Sequence, residues 1–222
     1  MLIIHGITGG IGGGLLQLAG RDLPEEFRTV MATDRELCNV ATPESVDAFY
    51  ANINRMDPVP GSPLFVINAT GAVVPGLVAK TSNLDYFEQT QVTLNGTFWI
   101  TRAFANAVKT RPGSSILHLS SVVARKRLAG TAVYSMAKGA MAGLVQATAA
   151  ELGRNGSRIN AIEMGYFNAG MISQVPNPLL NKTIAETPLK RLGEVSELWT
   201  LCSEVLRNSF LTGAVVPLTG GL

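Results

Sequence analysis

The sequence predicts an α/β fold, a single doubly wound parallel sheet with helices on both faces, formed by residues 1–222 as one domain. Three features point there. Short β-rich runs alternate with helical stretches along the whole chain. The first run leads directly into a glycine-rich turn and a helix. No internal repeat and no long Ser/Gly/Pro linker separates one part from another. The length suits one domain, since a chain of this size buries roughly 70% of its unfolded surface in one core.

Residues 2–5, Leu-Ile-Ile-His, form the first expected strand, and residues 10–19 after the glycines form the first helix. Residues 28–33 read as the second strand. Residues 43–54 read as a helix that Thr42-Pro43-Glu44 starts well, with a capping residue followed by proline at the first helical position. Strands over 64–68 and 115–120 enclose a long helix over 84–108, and a helix over 132–152 ends at Gly153. Residues 158–163 and 213–217 complete the strands, with a last helix over 196–206 between them. Residues 168–193 break the alternation, carrying Pro176, Pro178 and Pro188 in mixed polarity. In an open α/β sheet ligands bind beyond the carboxyl ends of the strands. A long irregular segment after the 158–163 strand therefore lies where a substrate lid sits.

Composition excludes several classes. Charged residues are only 15% against 46% hydrophobic, so much of the surface is expected to be covered by a cofactor or by neighbouring subunits. A net charge of +2 without a block of like charge argues against nucleic-acid binding through a basic stripe. The 2 cysteines, Cys38 and Cys202, are too few and too far apart for a disulfide framework or a zinc site, and no metal is expected. The start MLIIHGITGG lacks a basic region and its apolar run is broken by glycines, so it is not read as a signal peptide. No apolar run approaches the ~20 residues of a membrane span. The expectation is a soluble cytoplasmic protein without membrane or nucleic-acid partners.

The glycine turn carries the first chemistry. Gly6, Gly10 and Gly12 stand in G-x-x-x-G-x-G spacing directly after the first strand. This is a Rossmann-type arrangement, in which the turn is tight, a pyrophosphate has room, and N–H groups are exposed at a helix N-terminus. Thr8 and Ile11 lie in the same turn. Asp34 ends the second strand, where a carboxylate accepts hydrogen bonds from adenosine ribose hydroxyls. That favours NAD slightly over NADP, although Arg35 beside it could pair with a 2′-phosphate.

Tyr134 and Lys138 form the second constellation. At i, i+4 on a helix, both project from one face. A nearby ammonium favours the phenolate and lowers the tyrosine pKa from its reference of about 10. Such a tyrosine can pass a proton to a carbonyl oxygen as hydride reaches carbon, or take it back in reverse. Ser121, ending the preceding strand, could hydrogen-bond the same oxygen. His5 and His118 lie inside expected strands and are read as packed structural histidines. Arg125, Lys126 and Arg127 lie between Ser121 and Tyr134 and are read as overhanging the active-site mouth. They would there meet an acidic substrate, coenzyme A phosphate or an acyl carrier protein, or else form a solvated loop.

These residues resemble the short-chain dehydrogenase/reductase (SDR) family over nearly the whole chain. Gly6, Gly10 and Gly12 match its glycine motif, and Asn68-Ala69-Thr70-Gly71 resembles its N-N-A-G motif. Ser121, thirteen residues before Tyr134, matches the place of its serine, and Tyr134 and Lys138 match its tyrosine and lysine. Pro188-Leu-Lys-Arg-Leu-Gly193 and Leu211-Thr-Gly with Gly220-Gly221 resemble the C-terminal patterns of 3-oxoacyl-thioester reductases. The resemblance implies catalytic roles for Ser121, Tyr134 and Lys138, with Thr93 where the family keeps a relay asparagine. It implies cofactor contacts at Gly6, Thr8, Gly10, Ile11, Gly12, Asp34, Arg35, Asn39, Val40, Asn68, Ala69, Gly71, Tyr134, Lys138, Gly165 and Phe167.

Several positions depart from that pattern. Val92-Thr93-Leu94-Asn95-Gly96 replaces V-N-L-x-G, which puts the proton relay in doubt, and Asn95 points elsewhere in a helix. Met164-Gly165 replaces Pro-Gly, Ala169 aligns with a threonine that binds the nicotinamide amide, and Asn168 could substitute through its side chain. Asn39-Val40 stands where the family has Asp-Val, and Thr219 where it often has Asp. The segment after the second strand is shortened, because only a few residues separate Asp34 from Asn39-Val40. The implied activity is an NAD(P)-dependent ketoreductase, with a carrier- or CoA-bound 3-oxoacyl thioester as leading substrate. A biosynthetic ketone of polyketide or sugar-like type is the alternative, and a non-catalytic dinucleotide sensor the third reading. Small residues on the helix of Tyr134 (Ala137, Gly139, Ala140, Ala142, Gly143, Ala147) fit a homodimer or homotetramer, or else burial within the subunit.

Overall fold

The computed structural model describes residues 1–222 apart from Arg127 and the side chains of Ser173 and Gln174. Its strands are β1 (Leu2–His5), β2 (Val30–Thr33), β3 (Phe65–Asn68), β4 (Ser115–Ser121), β5 (Arg158–Met164) and β6 (Val215–Leu218). They form one six-stranded sheet in the order β2-β1-β3-β4-β5-β6, with every neighbouring pair parallel. The helices are α1 (Gly10–Ala19), α2 (Pro43–Ala51), α3 (Ile53–Met56), α4 (Asn83–Thr90), α5 (Gly96–Ala107), α6 (Ala132–Leu152), α7 (Asn177–Glu186) and α8 (Val195–Arg207).

The strands read as continuous apolar runs because both faces of the sheet are covered. Alternate residues serve opposite layers. Ile3, Val66, Ile116 and Ile159 face a core completed by Val46 and Phe49 of α2, Phe104 of α5 and Val145 of α6. Leu2, Ile4, Ile67, Leu117 and Ile162 face the other, completed by Leu15 of α1 and Leu198, Trp199 and Cys202 of α8. The chain leaves β1 toward β2 on one side and returns to β3 on the other. The order therefore reverses between β1 and β3, and the crevice for a ligand opens beyond His5 and Asn68.

Five elements differ from the sequence expectation, one of them the last strand, which starts at Val215 rather than at residue 213. The second strand starts at Val30 rather than at residue 28, because Arg28 has φ +58 and follows a 3-10 turn at Glu25–Phe27. The helix expected over 43–54 stops at Ala51, where Asn52 adopts a C-cap and its side-chain amide donates to the Ala48 carbonyl at 2.9 Å. The helix expected over 84–108 is two helices joined by a π turn at Gln91–Asn95. Just after it Gly96 lies so close to α2's approach that a Cβ there would stand 2.9 Å from the Val40 carbonyl oxygen. Within 168–193, expected to be irregular, α7 forms behind Pro176 with Pro178 in its first turn, where the missing N–H costs nothing.

The shortening after β2 is present. Residues 34–42 run from β2 straight into α2 through two turns, Cys38 N–H to Asp34 carbonyl at 3.0 Å and Thr42 N–H to Asn39 carbonyl at 3.0 Å, so β2 is an edge strand. At the opposite, amino end of the sheet, Arg111 is fully buried and its guanidinium meets Asp57 at 2.5 Å and the Asn54 side chain at 2.5 Å. Among the described residues no helix is long and apolar enough to cross a membrane.

Candidate active site

The glycine turn is shaped by close approach. Gly6 leaves β1 with φ +85, and a Cβ on Gly12 would lie 2.4 Å from the Gly6 carbonyl oxygen. Only glycine lets α1 sit this tightly on the strand end. Gly9 caps α1 with no side chain over its N-terminus, which leaves backbone N–H groups of its first turn without helical partners. Across the mouth of this turn lies the backbone of Ala169 and Gly170, and a Cβ on Gly10 would meet the Gly170 nitrogen at 2.3 Å. Thr8 and Ile11 complete the turn, and a Cβ on Gly170 would lie 3.4 Å from the Ile11 side chain. Glycines with N–H groups at a helix N-terminus are the arrangement that suits a diphosphate.

Asp34 stands at the carboxyl end of β2. One carboxylate oxygen accepts the Glu36 and Leu37 N–H groups at 3.0 Å each, and Arg35 beside it is exposed. Asn39 serves its own loop: its side-chain oxygen accepts the Ala41 N–H at 3.1 Å and its N–H donates to Ser45 Oγ at 2.9 Å. Val40 is buried in the core beside Gly96.

The carboxyl ends of β3 and β4 meet α6. Gly71 stands over Lys138 and Tyr134, and a Cβ there would lie 3.5 Å from Lys138 Nζ and 4.0 Å from the Tyr134 ring. Lys138 Nζ is buried and donates to the Leu119 carbonyl at 2.6 Å and the Thr70 carbonyl at 3.3 Å. Ser120 Oγ donates to the Lys138 carbonyl at 3.1 Å, which fixes α6 against β4. Ser121 ends β4, where its Oγ accepts the Val123 N–H at 3.2 Å and stands near enough to the Tyr134 hydroxyl to oppose the rise in its pKa. The tyrosine, lysine and serine singled out in the sequence are thus brought together.

Burial dominates the electrostatics. It pushes the Tyr134 hydroxyl up to about 12, opposed by the Ser121 hydrogen bond, and pulls Lys138 down to about 7. The sequence reading expected the ammonium to lower the tyrosine. In the protein alone desolvation outweighs that effect, although Nζ lies 5.8 Å from the ring centre.

Other expected positions fall differently. Thr93 is buried, and its hydroxyl accepts the Ala72 N–H at 2.9 Å and faces the Ala72 carbonyl at 3.2 Å, so it fixes the loop after Gly71. Asn95 is on another face and donates to Gln91. Gly165 packs on the chain at Thr219, where a Cβ would stand 2.7 Å from the carbonyl oxygen. The Phe167 ring is buried in the α8-side core against Gly193. The Asn168 side chain turns to Glu194 at 3.4 Å. Ala69 packs at the edge of the same core, beside the Gly6 turn.

The two described residues of the basic cluster both have acidic partners. Arg125 pairs with Glu163 at 2.8 Å and donates to the Leu222 carbonyl at 2.7 Å. Lys126 lies 3.7 Å from Glu186 and 5.1 Å from the centre of the Tyr166 ring. Arg127 lies outside the described residues. His5 and His118 are both fully buried and held down to about 3 by desolvation, as packed histidines should be. The sequence reading missed the partners of His118, although Thr97 and Thr101 repeat the four-residue spacing from Thr93 that puts them on one helix stripe.

Fold and site together define a dinucleotide-binding α/β protein with a serine, a tyrosine and a lysine gathered beside its glycine turn. Comparison with known proteins narrows this, and the chain belongs to the short-chain dehydrogenase/reductase family of NAD(P)-dependent oxidoreductases. A family model described as Enoyl-(Acyl carrier protein) reductase matches residues 19–222. A (3R)-3-hydroxyacyl-CoA dehydrogenase of Canis lupus familiaris is 34% identical over 165 residues, 72% of this chain and 63% of that protein. A 3-oxoacyl-[acyl-carrier-protein] reductase of Homo sapiens is 31% identical over 158 residues, 71% of this chain and 65% of that protein. The chain spans 63% and 65% of the length of these two relatives. A solved small-chain dehydrogenase in complex with NADPH superimposes with a TM-score of 0.84 at 22% identity, covering 99% of this chain and 96% of that one, a likeness of fold.

Proposed function

We propose that this chain reduces the ketone of a 3-oxoacyl thioester, carried on coenzyme A or an acyl carrier protein, with a nicotinamide dinucleotide as cofactor. The observation that carries this is the convergence of Ser121, Tyr134 and Lys138 at the carboxyl end of β4, beside the glycine cradle and Gly71. The names of the two curated relatives supply the substrate class. When bound, the dinucleotide supplies or accepts hydride. The chain's own residues do the rest. The Tyr134 hydroxyl donates its proton to the ketone oxygen, and Ser121 steadies that oxygen. Lys138, located by two carbonyl groups, favours the resulting phenolate and holds the nicotinamide ribose. Gly6, Thr8, Gly10, Ile11 and Gly12 hold the diphosphate, with Asn68, Ala69, Gly71, Gly165 and the backbone at Phe167 along the crevice. Asp34 favours NAD, with Arg35 as the group that would admit a 2′-phosphate.

The segment 168–193 is read as the lid, with α7 as its rigid part and Ala169-Gly170 lying over the cradle. A homo-oligomer is part of the same reading. On α6 the residues Gly139, Ala140, Gly143 and Ala147 are exposed rather than buried in the subunit, and a Cβ at either glycine would meet nothing within 4 Å. Exposed Leu84, Phe87 and Phe98 on α4 and α5 add apolar surface.

The test is oxidation of NADH and of NADPH with a panel of 3-oxoacyl thioesters and cyclic ketones, with Tyr134→Phe as control. Thioester reduction lost in that variant supports the reading. Turnover of cyclic ketones alone moves the substrate to a biosynthetic ketone. Cofactor binding with no turnover of any ketone sinks the enzyme reading and leaves a dinucleotide sensor.

A further inference from the structure

Behind the site lies a closed polar network that the proposed reaction does not use directly. Its centre is His118 on β4, directly across the sheet from Asn68 on β3. The Asn68 side-chain oxygen accepts both the N–H and the hydroxyl of Thr70, at 3.1 and 2.6 Å. Its amide nitrogen therefore faces the other way, toward Thr97 Oγ1 at 3.3 Å and His118 Nδ1 at 3.1 Å. Thr97 donates its own proton to the Thr93 carbonyl at 2.7 Å, and Thr101 donates to the Thr97 carbonyl at 2.7 Å. The Thr101 hydroxyl, 2.9 Å from His118 Nε2, is left to accept.

This donor count leaves one protonation state for the ring. Nδ1 must accept from Asn68, and Nε2 must carry the proton given to Thr101. A second proton would set Nδ1–H against the Asn68 amide hydrogens. The surroundings agree with this, because His118 is fully buried and the Lys138 ammonium nearby disfavours its cation.

The network ends on the lysine. Asn68 fixes Thr70 by two bonds, and the Thr70 carbonyl is one of the two groups that hold Lys138 Nζ. We infer that His118, as the neutral Nε2–H tautomer, is a positioning residue for Lys138, acting through Asn68 and Thr70. The inference takes its catalytic meaning from the reaction proposed above, but its central measurement needs no turnover. The titratable groups facing Lys138 are Tyr134 on its own helix and His118 on β4, so a change at His118 can be read at the lysine.

The experiment follows the Lys138 ammonium by NMR of 13Cε-labelled lysine in the intact chain, with 15N shifts reporting the His118 tautomer. Asn at 118 places an oxygen where Nδ1 lies, keeping the acceptor for Asn68, whereas Leu removes it. The His118→Leu variant should titrate Lys138 about one unit lower, because a charge-assisted hydrogen bond is loosened. His118→Asn should keep the wild-type midpoint. Thr101→Val, which strips the ring of its second anchor and leaves it in place, should lower the midpoint by about half a unit and stands in if His118→Leu fails to fold. In turnover, His118→Leu should lose about tenfold in kcat with KM little changed, and His118→Asn should recover it. An Nδ1–H ring overturns the inference, as does a Lys138 midpoint unmoved in His118→Leu and Thr101→Val, or equal effects of Asn and Leu. If the titrations come out as expected while no ketone is reduced, the positioning role stands and the proposed reaction fails.

Discussion

The carboxyl ends of β3 and β4 and the carboxyl end of β2 border the same crevice but are built in opposite ways. At β3 and β4, Asn68, His118, Thr93, Thr97, Thr101 and Lys138 are buried and bonded across β3, β4, the π turn, α5 and α6. At β2, Asp34 and Arg35 lie on a short turn at the sheet edge, held by local backbone bonds and open to water. The difference separates two tasks. Proton transfer needs groups held to a fraction of an ångström in a dry setting. On the proposed reading the β2 end grips adenosine, which needs only enough contacts to bind and so tolerates the shortening of 34–42.

The largest effect should come from breaking the rigid end at its charge. Lys138→Met is expected to cut kcat by about two orders of magnitude, as for loss of one preorganised donor. Cofactor affinity should fall far less. The measurement is kcat and cofactor Kd side by side, and equal losses in both would mean that the lysine serves binding alone.

Two buried histidines, His118 at that end and His5 on β1, should also make stability sensitive to mild acid. His5 and His118 have folded-state pKa values near 3, well below their ordinary 6.5, so the unfolded chain takes up protons that the native chain refuses. Their stabilisation is complete above pH 6.5 and is lost as pH falls below it. With two such groups the slope approaches about 2.7 kcal/mol per pH unit. Urea unfolding between pH 7.5 and pH 5 (about one and a half decades below the midpoint and above most carboxylate titrations) checks this. A flat profile would mean that the native state admits the protons.

The two ends were unequally legible in the sequence. The alternation of β1 to β6 with helices was readable because each strand is covered on both faces, which leaves runs such as Leu2-Ile3-Ile4 without polar breaks. Tyr134 and Lys138 were readable because their spacing is local to one helix. The π turn at Gln91–Asn95 was not, and neither was the approach of Gly96 to the Val40 carbonyl beside it, a contact between distant segments. The outcome at Tyr134 was equally hidden. Its charge environment can be guessed from neighbours in sequence, but its burial depends on packing against β4 and the Gly71 loop. The pairing of Arg125 with Glu163, which takes that arginine from the expected anion site, also joins residues far apart in the chain.

The smallest effects belong to the open end, and they decide what that end is for. Asp34→Ala removes a carboxylate whose one oxygen accepts two exposed N–H groups, so the turn should lose no more than about 1 kcal/mol of stability. The ratio of kcat/KM for NADH over NADPH should fall by about fivefold, the scale of one solvent-screened charge beside a phosphate. Arg35→Ala should move the same ratio the other way by a similar amount, since the exposed guanidinium is the group able to meet a 2′-phosphate. Opposite shifts of modest size would establish that cofactor choice rests on these two residues acting against each other at the edge of the sheet. A ratio unmoved by either change would place the choice elsewhere along the crevice, and Asp34 would be left with the turn it caps as its whole role.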